Sequence, residues 1–121
     1  MIAQSQKAAN SASIDANKIA RELRGTVSGE VRFDESARSL YAYDGSIYRQ
    51  VPIGVVVPKT IDDVVSTVSI AREHNAPILG RGCGTSLAGQ CCNFAIIIDF
   101  SKYLNTIVSL DPDTKKAVVL P

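Results

Sequence analysis

The sequence predicts an α/β (α+β) domain: a small mixed sheet containing one βαβ unit. Three segments carry this prediction. The run "GVVVP" at 54–58 is continuous, apolar and bounded by Gly and Pro, as in a strand covered on both faces. "KTIDDVVSTVSIAREHNAP" follows with apolar residues at helical spacing, and "PILG" returns directly to strand composition. That order makes Val55–Val57 and Ile78–Leu79 the expected parallel neighbours, joined by a right-handed crossover.

The elements can be justified in chain order. Residues 1–13 are small and polar and read as loose. Ile14, Ile19, Ala20 and Leu23 predict a short amphipathic helix in "SIDANKIARELRG", closed by Gly25 as its C-cap. A brief strand is expected around Val31, then a short helical piece from Ala37 to Tyr43, then an extended polar-aromatic segment up to Pro52. This divides the chain into a helical lead-in, 1–43, and a main domain, 44–121. Within the central helix Ile61, Val64, Val65 and Val68 line one face. Thr60 with Asp63 gives a capping-box start, while Asp62, Asp63 and Arg72 suit the helix dipole. Asn75 suits a left-handed C-terminal position. "FAIIIDF" reads as a third strand, and "NTIVSL" and "KAVVL" pair around the turn "DPDTKK".

Composition narrows the function classes. The chain has 121 residues, 45% hydrophobic and 21% charged, enough to bury the core of one soluble domain. Thirteen basic residues against 12 acidic ones give a net charge of +1, which argues against a nucleic-acid groove or an anionic membrane surface. No apolar run could span a bilayer, and the N-terminus lacks the pattern of a secretory signal. Three cysteines, 83, 91 and 92, form a poor disulfide framework and fit a reducing, cytoplasmic compartment. The final "KKAVVLP" ends in what reads as a strand, so the sequence is expected to be part of something longer.

Chemistry concentrates in "APILGRGCGTSLAGQCCN", 76–93, with glycines at 80, 82, 84 and 89. Successive N–H groups in such a turn form an anion-binding concavity, and the missing Cβ lets a phosphate come close. Thr85 and Ser86 add hydroxyls and Arg81 adds charge. Two familiar phosphate motifs fail on spacing. The dinucleotide fingerprint would need glycine where Leu87 stands, and the mononucleotide loop would need lysine where Gln90 stands. The residues alone leave open a phosphate cradle or a wide structural turn.

"GVVVPKTIDDVVSTVSIAREHNAPILGRGCGTSLAGQ", followed by "IIIDFSKYLNTI", resembles the N-terminal part of the FAD-binding domain of the vanillyl-alcohol oxidase / p-cresol methylhydroxylase (PCMH) superfamily. The branch it most resembles contains FAD-linked glycolate oxidase, D-lactate dehydrogenase and D-2-hydroxyglutarate dehydrogenase. The likeness runs from about Asp44 to Pro121, and "RGCGTSLAGQ" is its most specific part. The resemblance implies the first subdomain of a PCMH-type FAD-binding domain, truncated on its C-terminal side. It implies FAD as cofactor, its pyrophosphate held at Arg81, Gly82, Cys83, Gly84, Thr85 and Ser86, with Gly89 and Gln90 closing the loop and a weaker contact from Pro58. Cys83 departs from the family's commonest glycine; it is tolerated if it only lends its N–H and strained if its φ is positive. The implied substrate is a small 2-hydroxy acid such as D-lactate or glycolate. Its site lies outside this chain, so neither catalytic nor metal-binding residues are expected within it. The rival readings are a self-sufficient nucleotide- or phosphate-binding module and a homo-oligomer formed through the strand edge near "KAVVL".

The remaining candidates read as structural. His74 sits at a helix end, Cys91 and Cys92 are small apolar fillers before a strand, and Asp99 and Asp111 are strand-end and turn residues. "YDGSIYR" at 43–49 brings Tyr48 and Arg49 just ahead of the main domain, as a capping loop or as a lead-in packed near the cofactor.

Overall fold

The computed structural model describes residues 14–121, so the expectation for the opening 1–13 lies outside the described residues. Helix α1 spans Ala16–Thr26, β1 Glu30–Arg32, α2 Glu35–Leu40, β2 Gly54–Val57 and α3 Ile61–Glu73. Strands β3 (Ile78–Arg81), β4 (Ile96–Asp99), β5 (Ile107–Asp111) and β6 (Lys116–Val119) follow.

Local chemistry explains most of these boundaries. Asp15 caps α1 by accepting the Lys18 N–H, and Asp34 caps α2 by accepting the Ala37 N–H. Thr60 and Asp63 form a complete capping box at the start of α3. Asn75 takes a left-handed φ of 51° after it, as expected. Gly25, in contrast, is an interior residue of α1; the helix ends at Val27, whose N–H reaches the Leu23 carbonyl. With no left-handed residue there, a glycine was not required. The second helix lies earlier than expected because Asp34 supplies a cap upstream of Ala37.

The main sheet is mixed, with order β1-β2-β4-β3. β1 runs antiparallel to β2, while β2 and β3 both run parallel to β4. Val55–Val57 and Ile78–Leu79 are therefore not neighbours, which corrects the expectation from the sequence. Val55 faces Ile97 in register, and Ile97 faces Leu79 on its other side. "GVVV" and "IIID" are the two interior strands, and all four residues of each are buried. β3, with its half-exposed pattern, stays at the edge. β5 and β6 form a separate antiparallel hairpin around Asp111–Lys116, as the turn chemistry predicts.

One face of the sheet carries the main core, where Val56 and Ile96 pack with Ile19 and Leu23 of α1 and Ile70 and Ala71 of α3. The other face holds Val55, Val57 and Ile97 beneath Tyr41, Leu79 and Tyr103. The face of α3 picked out by apolar spacing is mostly not the one it buries: Val64 is half-buried but Ile61 is 63% and Val65 62% exposed, whereas Asp63, Thr67, Ile70 and Ala71 face inward. Asp63 accounts for this rotation. Its carboxylate accepts the Ser28 N–H at 2.8 Å, the Ser28 hydroxyl and the Lys59 N–H at 2.8 Å, which locks that side of the helix against the turn after α1. Burial alone would push its carboxyl above the ordinary carboxylate range, but the Ser28, Lys59 and Thr60 donors outweigh it and hold the carboxyl below its ordinary value. His74 adds a second tie from α3 to α1, its Nε2 lying 2.8 Å from Glu22 Oε2.

Candidate functional site

β3 ends at Arg81, and the chain then enters the glycine-rich turn that leads back to β4 at the sheet centre. The turn is open: Gly82, Cys83, Thr85 and Gln90 are exposed, while Gly84, Ser86 and Gly89 are half-buried. Gly84 adopts φ +74° and Gly89 φ +81°. The backbone amides from Gly82 to Leu87 donate to no other group among the described residues. A run of unspent N–H donors beside a strand end is what a phosphate-binding concavity requires, so the residues present fit a pyrophosphate.

Not every predicted site residue faces outward. The Ser86 hydroxyl donates to the Gln90 side-chain carbonyl and accepts the Gln90 N–H at 3.3 Å, so the two brace the turn against each other. Arg81 also turns inward: its Nη1 donates to the carbonyls of Tyr41 at 3.4 Å and Cys91 at 3.2 Å. Cys83 is exposed and is not among the described residues with positive φ, so its side chain brings no backbone strain. Cys92 is buried, as a filler should be, and burial pushes its thiol up from the ordinary value. Pro58 is a fully buried residue following β2.

The 43–49 segment forms the bed of this turn. Gly45 N–H donates to the Gly84 carbonyl at 3.0 Å, and Asp44 Oδ2 accepts the Cys91 N–H at 3.3 Å. Tyr48 packs where a Cβ on Gly89 would sit. Beside it, Tyr48, Arg49, Gln50, Gly89 and Asn93 line most of a cleft of about 310 Å³. Sequence reasoning missed Tyr41 and the part played by Asp99. The Tyr41 hydroxyl donates to Asp99 Oδ2 at 2.5 Å, and Asp99, only 6% exposed, also accepts the Ser101 N–H and hydroxyl. The only signal for this was an aspartate ending an otherwise apolar strand.

A parallel strand end opening into a donor-lined glycine turn is the arrangement in which α/β domains hold phosphate-bearing ligands. Residues 52–121, more than half the chain, match the FAD binding domain family; the chain belongs to that family, and its cofactor is FAD. Among curated relatives, the glycolate oxidase subunit GlcD of Bacillus subtilis is 35% identical over 100 residues, covering 78% of this chain and 21% of the relative. D-2-hydroxyglutarate dehydrogenase of Pseudomonas putida is 29% identical over 90 residues, covering 72% of this chain and 9% of the relative. The chain thus spans about a fifth or less of these relatives' length. Among solved structures, an alkyldihydroxyacetonephosphate synthase superposes with TM-score 0.71 at 20% identity, over 84% of this chain and 21% of that one. p-Cresol methylhydroxylase with substrate bound gives 0.67 at 22% identity, over 85% and 21%. Those two structures establish the shared fold. No described helix is long and apolar enough to cross a membrane.

Proposed function

We propose that this chain contributes the FAD pyrophosphate-binding loop of an oxidoreductase that oxidises a small 2-hydroxy acid of the D-lactate or glycolate kind. The observation that carries the reading is the unspent run of amides from Gly82 to Leu87, set in a turn kept open by Gly84. In this reading the N–H groups of Gly82, Cys83, Gly84, Thr85 and Ser86 bind the pyrophosphate, and the Thr85 hydroxyl adds a donor. Gly89 and Gln90 close the turn, with Ser86 and Gln90 holding each other in place. FAD, when bound, supplies a ring that accepts a hydride from the substrate carbon. The chain's own part is to position that cofactor. The substrate class is supported by the glycolate oxidase and D-2-hydroxyglutarate dehydrogenase relatives.

The 121-residue chain alone holds one part of such a site, so it binds FAD weakly and does not turn over D-lactate or glycolate with an artificial electron acceptor. Titration with FAD, FMN and ADP separates this reading from a self-sufficient nucleotide module. Weak binding of FAD and ADP, and weaker binding of FMN, supports it. Tight ADP binding without flavin preference, or turnover by the chain alone, would count against it.

A further inference from the structure

We infer that Arg81 is a positioning residue of the phosphate loop: its guanidinium holds the turn from beneath and touches no phosphate. The inference rests on reading the loop as a pyrophosphate cradle and deepens it. Three sets of contacts occupy the side chain. Its Nη1 bonds the carbonyl of Cys91, at the far end of the loop, and that of Tyr41, just after α2. Its planar group lies over the Tyr41 ring at 5.1 Å from the centroid. Its other edge lies directly under Gly84, where an added Cβ would come within 2.3 Å of Nη2 and 2.8 Å of Cζ.

The platform beneath the guanidinium is itself fixed. Tyr41 is tethered to Asp99 at the end of the central strand, and burial together with that carboxylate pushes the phenol up to about 12, so it remains a donor at neutral pH. Arg81 forms no ion pair with a carboxylate among the described residues. With no carboxylate in ion-pair contact, its charge favours an anion above the amide run without contacting it. A planar fork that stacks and bonds two carbonyls at once explains arginine here; the point charge of lysine would supply the field but not the shape. Gly84 completes the device, because only a residue without Cβ lets the backbone settle onto the guanidinium.

The test uses the 121-residue chain, Arg81→Lys and Arg81→Met, with pyrophosphate as probe and amide-resolved NMR as readout. Without ligand, both variants should exchange the bonded amide hydrogens that frame the turn, those of Gly45, Cys91 and Cys92, roughly tenfold faster, as expected for two lost hydrogen bonds, while α3 is unchanged. In the wild type, pyrophosphate should shift the Gly82–Ser86 amides and leave the Arg81 Nε–H signal nearly in place, and Arg81→Lys should not restore the affinity. Wild-type loop exchange and affinity in Arg81→Lys, or an Arg81 signal that moves most on titration, would overturn the inference. So would faster exchange that spreads equally into α3. If pyrophosphate shifts no wild-type amide, the phosphate reading fails, and the exchange rates still decide the positioning role.

Discussion

Replacing Gly84 with alanine perturbs the loop at its most constrained point. With φ at +74°, an L-residue there costs about 1–2 kcal/mol in backbone energy alone. The new Cβ would also meet the Arg81 guanidinium at 2.3 Å, closer than any real contact. The far end of a flexible side chain can move away, but doing so breaks its bonds to the Tyr41 and Cys91 carbonyls. Each such bond is worth about 0.5–1.5 kcal/mol, with the lower end fitting a half-exposed group. The combined cost is about 2–3 kcal/mol. Gly82→Ala is the matched control, because nothing lies within 4 Å of its added Cβ and its φ is not in the positive range. Urea unfolding of the two variants gives the comparison directly. Equal stabilities would refute the claim that Gly84 is fixed by its conformation and by Arg81.

Other substitutions test the supports of the site. Asp63→Ala leaves the Ser28 and Lys59 donors without their carboxylate and should cost about 2–4 kcal/mol by urea unfolding, since buried donors are expensive to orphan. The Lys102 ammonium and the Tyr103 hydroxyl lower Glu30 to about 2. A carboxylate depressed on folding contributes fully above its unfolded value and loses that contribution as pH falls through the folded one. The urea midpoint should therefore fall between about pH 4.5 and 2, less steeply in Glu30→Gln. Cys83→Ala should change stability by less than about 0.5 kcal/mol, because the residue is exposed and lies outside the positive-φ range.

Local chemistry was legible in the sequence, and tertiary choice was not. The Thr60–Asp63 box, the turn at Asn75, the β5–β6 hairpin and the glycine loop each depend on residues within a few positions of one another. Strand order does not: "PILG" and "IIID" both read as strands, and only the packing of two sheet faces puts the fully buried one in the middle. Apolar spacing named Ile61, Val64, Val65 and Val68, yet the rotation of α3 follows from Ser28, 35 positions before its partner Asp63. Within the loop, the glycines were visible as permission for close approach. What approaches Gly84 from below, Arg81 on its Tyr41 platform, depends on a contact 40 positions apart.

In the proposed site the Gly82–Leu87 amides receive a pyrophosphate. The most direct measurement is a crystal structure of the chain soaked with ADP at high concentration. Diphosphate oxygens should lie within hydrogen-bond distance of the Gly82, Cys83, Gly84, Thr85 and Ser86 nitrogens, with Arg81 still bonded to the Tyr41 and Cys91 carbonyls. A diphosphate bound elsewhere on the domain, with this turn bare, would contradict it.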